Sequence, residues 1–454
     1  MSAMSTADSV PRISPASAPG PSGPTSLTAS SGLGGLGGLG GRGGVPLSVP
    51  LPYLLTGVTA AALFGVILPW LVVEAAHAPL DPHVLALVHL VTLGWLTMTI
   101  LGASLQLLPV ILVSPLRAAR LVRWQYPAYL CGVLAMLTGF WTMYPLVIAA
   151  GGMLVALAVG HYVIVMAITI AQAQQRPLTA RFLAGSLVYL CLVVAFGLTA
   201  ALNLRFGFLG AGVLRVLPAH IALGIAGWLT CTLMGVSYTL VRMFALAHGH
   251  DDRIGRYVFV LLNVGIVLLA LGFLLASGLV LAIGGTAFCA ASWLFAYDYT
   301  RMLRVRRRKP LDATQRHGIA AVSYLCILAP LTMLGVLAGW GEPQLFVALG
   351  LGAFVGWLGQ STIGYLYKIV PFLIWQDRYG ELVGRQKVPL MREMLHSRWT
   401  KASWWLLNLG LPVAMLMLLL GLEWLLVIAC AVLGVGLLLA AANIWACYTM
   451  HRVH

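Results

Sequence analysis

The sequence predicts an all-α polytopic membrane protein, with about twelve transmembrane helices in three four-helix repeats. Composition, the length of the apolar runs and a motif recurring at a near-constant interval predict it. Of 454 residues, 60% are hydrophobic and only 9% are charged, and the mean hydropathy is +0.94. A soluble domain of ordinary composition carries roughly 25% charged residues. A chain this apolar has no water-compatible surface, so the lipid bilayer must be its solvent.

Residues 1–48 stand apart. They are Ser, Pro and Gly with almost nothing to bury, which predicts a disordered cytoplasmic tail. The tail lacks the basic start and apolar run of a signal peptide. Its GLGGLGGLGGRGG stretch follows no strand and precedes no GK[ST], so it reads as a flexible linker and not a phosphate loop.

Residues 49–454 form the predicted membrane domain. Its apolar runs cover 51–73, 84–112, 126–144, 146–171, 183–203, 216–244, 257–276, 278–300, 318–339, 343–375, 402–421 and 424–449. Each is long enough to cross a bilayer as a helix. The connections alternate in charge. One set holds Arg117, Arg120 and Arg123, then Arg176 and Arg181, Arg253 and Arg256, the run RMLRVRRRKP at 301–310, and Arg385, Lys387, Arg392 and Arg398. The other set holds Glu74, Asp81, Glu342 and Glu423, with Arg205 and Arg215 its only basic members. Short basic loops stay in the cytoplasm, which predicts an inner (cytoplasmic) membrane protein with both termini inside. The net charge of +15 is therefore a topology signal. Nucleic-acid binding would need base-reading or aromatic elements among those arginines, and none is present. The seven cysteines all lie in apolar runs without a CxxC pair. That excludes a disulfide framework and a thiolate zinc site, and predicts small packing residues.

The second span contains GWLTMTILGASLQLLP (94–109), the sixth GWLTCTLMGVSYTLVR (227–242) and the tenth GWLGQSTIGYLYKIVP (356–371). Trp95, Trp228 and Trp357 lie 133 and 129 residues apart, four spans each time, and Gly102, Gly235 and Gly364 each follow their Trp by seven residues. Seven residues is close to two helical turns, so Trp and Gly share a face. There a Gly admits a neighbouring helix or a flat ligand. One such pattern is ordinary helix packing; three at nearly equal spacing predict a repeat. Transporters built from two six-helix halves do not show this period.

A four-helix unit used three times resembles subunit I of the heme-copper oxidase superfamily, in which twelve helices form three arcs about a pseudo-threefold axis. The resemblance covers residues 50–454. HLVTLGWLTMTILGASLQLLP is similar to the second helix of stand-alone relatives of the nitric oxide reductase and C-type oxidase branch. There a His precedes a Leu-Gly-aromatic step, a Gly and a Leu-Pro exit. The resemblance implies a cytochrome oxidase subunit I-like fold and heme or copper as cofactor. It also implies partners among respiratory or metal-handling membrane proteins.

The resemblance implies two ligand positions. His89 matches the heme ligand of the second helix, and His220 the copper ligand of the sixth. Neutral imidazole suits both metals. The family's tenth helix brings two further histidines and its seventh a His pair, whereas the tenth and seventh spans here bring none. Oxygen or nitric oxide reduction at a binuclear centre is therefore not expected. His89 lies six residues before its Trp and His220 eight before its own, so the two are not copies of one ligand. His161, in the fourth span, either replaces a missing ligand or bonds to a neighbouring helix. His77 and His83 fall in or beside an outer loop. Asn263, Gln360 and Asn443 are expected to bridge helices, and Lys368 to snorkel. Arg205 and Arg215 could pair with heme propionates. Three functions stay open: a heme- or copper-binding protein of electron transfer, metal handling or nitrogen-oxide response; a metal-free scaffold of the same fold; and, least supported, a secondary transporter.

Overall fold

A computed structural model describes residues 45–116, 119–247, 249–307, 310–339 and 341–450. Of the predicted tail, residues 1–44 lie outside the described residues. Every regular element described is a helix. Twelve long ones run as α1 (Pro50–His77), α2 (Pro82–Leu112), α3 (Ala119–Trp141), α4 (Pro145–Ala171), α5 (Leu178–Phe206), α6 (Gly210–Ala245), α7 (Arg253–Leu275), α8 (Gly278–Arg304), α9 (Ala313–Leu337), α10 (Pro343–Leu382), α11 (Ser397–Leu420) and α12 (Glu423–Met450). All but α3, whose first turns carry Arg120 and Arg123, are long and apolar enough by length and composition to cross a membrane. Large apolar side chains face outward, with Trp70 80% exposed and Leu279 72%. Such a surface is stable only against lipid.

The predicted spans coincide with these helices to within a few residues, but several helices start earlier where arginines begin the span. Caps set those starts. Asp312 accepts from the Gln315 backbone N–H while the Gln315 side chain bonds back, a capping box that opens α9. Asp81 accepts from the His83 N–H and Pro82 fills the first turn, opening α2. The turns at Glu74–Asp81, Glu342 and Glu423 mark an acidic end of the bundle, and the opposite, basic end carries the arginine loops.

Consecutive helices pack as neighbours, and α12 returns to pack along α1. Gly65 and Gly434 bring those two backbones into direct contact, leaving no room for a Cβ at either. The most buried elements are α2, α6 and α10. Each contains an eight-residue π-helical segment, Leu90–Thr97, Leu223–Thr230 and Gly352–Gly359, which includes its Gly-Trp-Leu. Gly102, Gly235 and Gly364 receive Tyr53 of α1, Phe182 of α5 and His317 of α9 against their Cα atoms. Gly94, Gly227 and Gly356 receive Ala60, Tyr189 and Tyr324, each seven residues further along those same helices.

Backbone features recur in the same way. Val113 and Leu246 end α2 and α6 in the left-handed conformation, with φ 51° and 52°. Met143 and Ala276 follow α3 and α7 likewise, at 54° and 51°, and Gly421 follows α11 at 67°. Both non-glycine pairs are 133 residues apart, the same offset as Trp95 and Trp228. The cysteines are free, as expected, but Cys131 and Cys191 are exposed. Those two face outward instead of packing inside.

Candidate functional site

His89 is the last residue before the first π segment, and His220 sits three residues before the second. Both rings are half-buried towards the acidic end. His89 Nδ1 lies 2.7 Å from the Leu85 carbonyl oxygen, one turn back on its own helix. His220 Nδ1 lies 3.0 Å from the Val193 carbonyl oxygen on α5. A carbonyl can only accept, so each Nδ1 carries the proton and each Nε2 keeps its lone pair. Among the described residues nothing hydrogen-bonds either Nε2.

Packing holds both rings in place. His89 stacks on Phe140 of α3, centroids 4.9 Å apart and 24° between planes. His220 lies over Gly197 of α5, where an added Cβ would stand 2.8 Å from the ring Cε1. Glycine there leaves the room the imidazole occupies. The two histidines lie within electrostatic reach of each other, although they occupy different registers relative to their tryptophans.

His161 is not part of this pair. Its Nδ1 meets Gln125 Oε1 at 3.2 Å, on the basic-end stretch of α3, and its Nε2 is buried without a partner. His77 bonds to Glu423 at 2.8 Å across the acidic-end surface. His83 bonds to Asp81 at 3.0 Å and meets the edge of Trp141. Glu74, Asp81 and His83 form the one group of three potential metal-ligating side chains among the described residues, with ligand atoms within 4.8 Å. It lies at the surface and includes none of the three predicted ligands.

The polar residues expected to bridge helices do so. Tyr189 donates to Asn263 Oδ1 at 2.7 Å. Gln360 and Asn408 exchange bonds at 2.9 and 3.0 Å. Asn443 holds the backbone of His396 by both its amide atoms. Lys368 does not merely snorkel: it pairs with Asp312 at 2.9 Å. Arg205 lies over the Phe206 ring.

Two buried polar groups escape the sequence reading. His317 is fully buried, its Nδ1 on Gln360 Oε1 at 3.1 Å and its Nε2 without a partner. The predicted ninth span starts one residue too late to include it, whereas the Asp-x-x-Gln capping box at 312–315 was a readable signal. Asp298, near the end of α8, is fully buried against Arg301 at 3.2 Å and His250 at 3.3 Å. Its signal was an acid inside an apolar run.

Comparison with known protein families and with characterised proteins gives no match to this chain.

Proposed function

We propose that the protein is a heme- or copper-binding membrane protein, related to subunit I of the heme-copper oxidases and built as three copies of one four-helix unit. The observation that carries the metal reading is the pair His89 and His220, each with Nδ1 engaged by a backbone carbonyl and Nε2 left with a lone pair. Hydrogen-bonding of the far nitrogen is how proteins fix the tautomer and direction of a ligating imidazole.

Two neutral imidazole nitrogens suit a heme iron, a copper ion or zinc and not calcium, which takes oxygen ligands. The choice of heme or copper rests on the oxidase resemblance. His89 and His220 would hold the group, which when bound would supply one-electron redox chemistry or a reservoir of metal. The chain's own contribution is orientation. Phe140 and Gly197 confine the rings, and the Leu85 and Val193 carbonyls fix their protons. A full oxidase centre needs histidines on the seventh and tenth helices that this chain lacks, so electron transfer, metal handling or nitrogen-oxide response fits better than oxygen reduction.

The three-unit reading is supported by recurrence. The π segments and the contacts of Gly102, Gly235 and Gly364 with aromatic residues return in all three units, and the left-handed helix exits return between the first two at one 133-residue offset. A protein of two six-helix halves would have no reason to repeat them every four helices.

The test is metal and heme content of purified wild type, His89→Ala and His220→Ala, by absorption and elemental analysis. A Soret band or stoichiometric copper in wild type, lost in either variant from a still-folded protein, is expected. A wild type that takes up neither overturns the metal reading and leaves the metal-free scaffold.

A further inference from the structure

The joins between neighbouring four-helix groups differ. At α12–α1, Gly65 and Gly434 touch and Trp445 donates to Thr59 at 3.1 Å. At α8–α9, Trp293 donates to the Cys326 carbonyl at 3.1 Å and Tyr299 fills the space over Gly318. The third join, α4–α5, is in contact along part of its length but leaves a gap along the rest. A groove of about 610 Å³ runs along its basic-end half. Its walls include Ala167, Ala171, Ala180 and Ala184, which are too short to close it, and its mouth holds Arg176 and Arg181.

We propose that this groove binds one acidic phospholipid from the bilayer, with the acyl chain between α4 and α5 and the phosphate on the two arginines. Lining residues 163–171 of α4 and 180–191 of α5 span about 12 and 16 Å at the helical rise. That is close to the depth of one leaflet, about half of a ~30 Å hydrocarbon core. Arg176 donates one N–H to the Ala171 carbonyl at 3.0 Å, which places the guanidinium over the end of α4. Both arginines are exposed, so their remaining N–H groups can fork onto a phosphate. No carboxylate lines the groove. An anionic headgroup therefore meets only positive charge.

The experiment is native mass spectrometry of the full-length protein released from nanodiscs of phosphatidylglycerol or of phosphatidylcholine. The wild type should retain one phosphatidylglycerol and release phosphatidylcholine. Arg176→Gln/Arg181→Gln should weaken phosphatidylglycerol retention about thirtyfold, the combined effect of two arginines at a membrane surface. Ala184→Phe keeps both arginines but fills the trough, and should also lose the lipid. All these positions are exposed, so each variant should keep the wild-type elution profile. Equal retention of the two lipids, or retention unchanged in the double arginine variant, overturns the proposal. Retention unchanged in Ala184→Phe overturns the groove as the place. Cys191 supplies one more outcome, because it is exposed in the groove wall. Efficient Cys191–Cys191 cross-linking in native membranes would show a second copy of the chain there instead of a lipid.

Discussion

The indole N–H of Trp228 donates to Thr97 Oγ1 and that of Trp357 to Thr230 Oγ1, both at 2.9 Å. Each bond links one π segment to another at the centre of the bundle. The matching residue on α10 is Gly359, and the buried Trp95 N–H has no partner. A Cβ on Gly359 would stand 2.7 Å from the Trp95 ring and 2.6 Å from the Phe354 carbonyl. The two sites that keep Thr should therefore respond differently from the one that lost it. Thr97→Val and Thr230→Val each strand a buried donor and should lower stability by about 1–3 kcal/mol. Gly359→Thr should also destabilise, by about 1–3 kcal/mol from overpacking, although it restores the motif. Thermal unfolding in one detergent checks all three, and a more stable Gly359→Thr would refute the steric account. The series GWLT, GWLT, GWLG was visible in the sequence. Its meaning was not, because it depends on which indole faces which hydroxyl across helices more than a hundred residues apart.

A π segment widens the helix and changes the direction in which residues before it point, relative to those after. The segment at Leu90–Thr97 separates His89 from most of α2. Deleting Thr92, a half-buried residue in that segment, should restore ordinary α-helix and turn His89 by about 100° around the axis. If the proposed metal site exists, the deletion should lower heme or copper content as far as His89→Ala does, in a protein that still elutes as a single species. Undiminished content would show that the π segment does not aim the ring. At this scale the sequence was partly legible. Long apolar runs located the helices, because about twenty residues are needed to cross a bilayer. Helix starts were misplaced where a capped polar turn extends the helix beyond its apolar run, as Asp312 does for α9. The π segments were invisible, since they arise from a shifted hydrogen-bond register in residues that would suit an α-helix equally well.

If α3 crosses along with the eleven helices long and apolar enough to do so, Pro50 and Met450 stand on one side of the membrane, and α12 packs back along α1. Which side that is depends on charge. Several basic-end cations are engaged: Arg242 with Asp252 at 2.8 Å, Arg301 with Asp298 at 3.2 Å, Lys368 with Asp312 at 2.9 Å. Two of these pairs join one helix to the start of a neighbouring one and the Arg301–Asp298 pair lies within α8, but orientation follows the number of Lys and Arg near the span ends, to which Asp and Glu contribute little. By that count the engaged arginines still weigh, and the acidic end has only Arg205 and Arg215 to set against them. The basic end should therefore face the cytoplasm. Alkaline phosphatase fused after residue 307 or after residue 450 should be inactive, and the same enzyme inserted at residue 341, beside Glu342, should be active. The opposite pattern would invert the molecule and put the His89–His220 pair in the cytoplasmic half. Its metal would then come from the reducing cytosol, where copper is held as Cu(I). With the predicted orientation the pair instead lies in the outer half, and exposed Glu74 with half-buried Asp81 and His83 stand at that same end of α1 and α2.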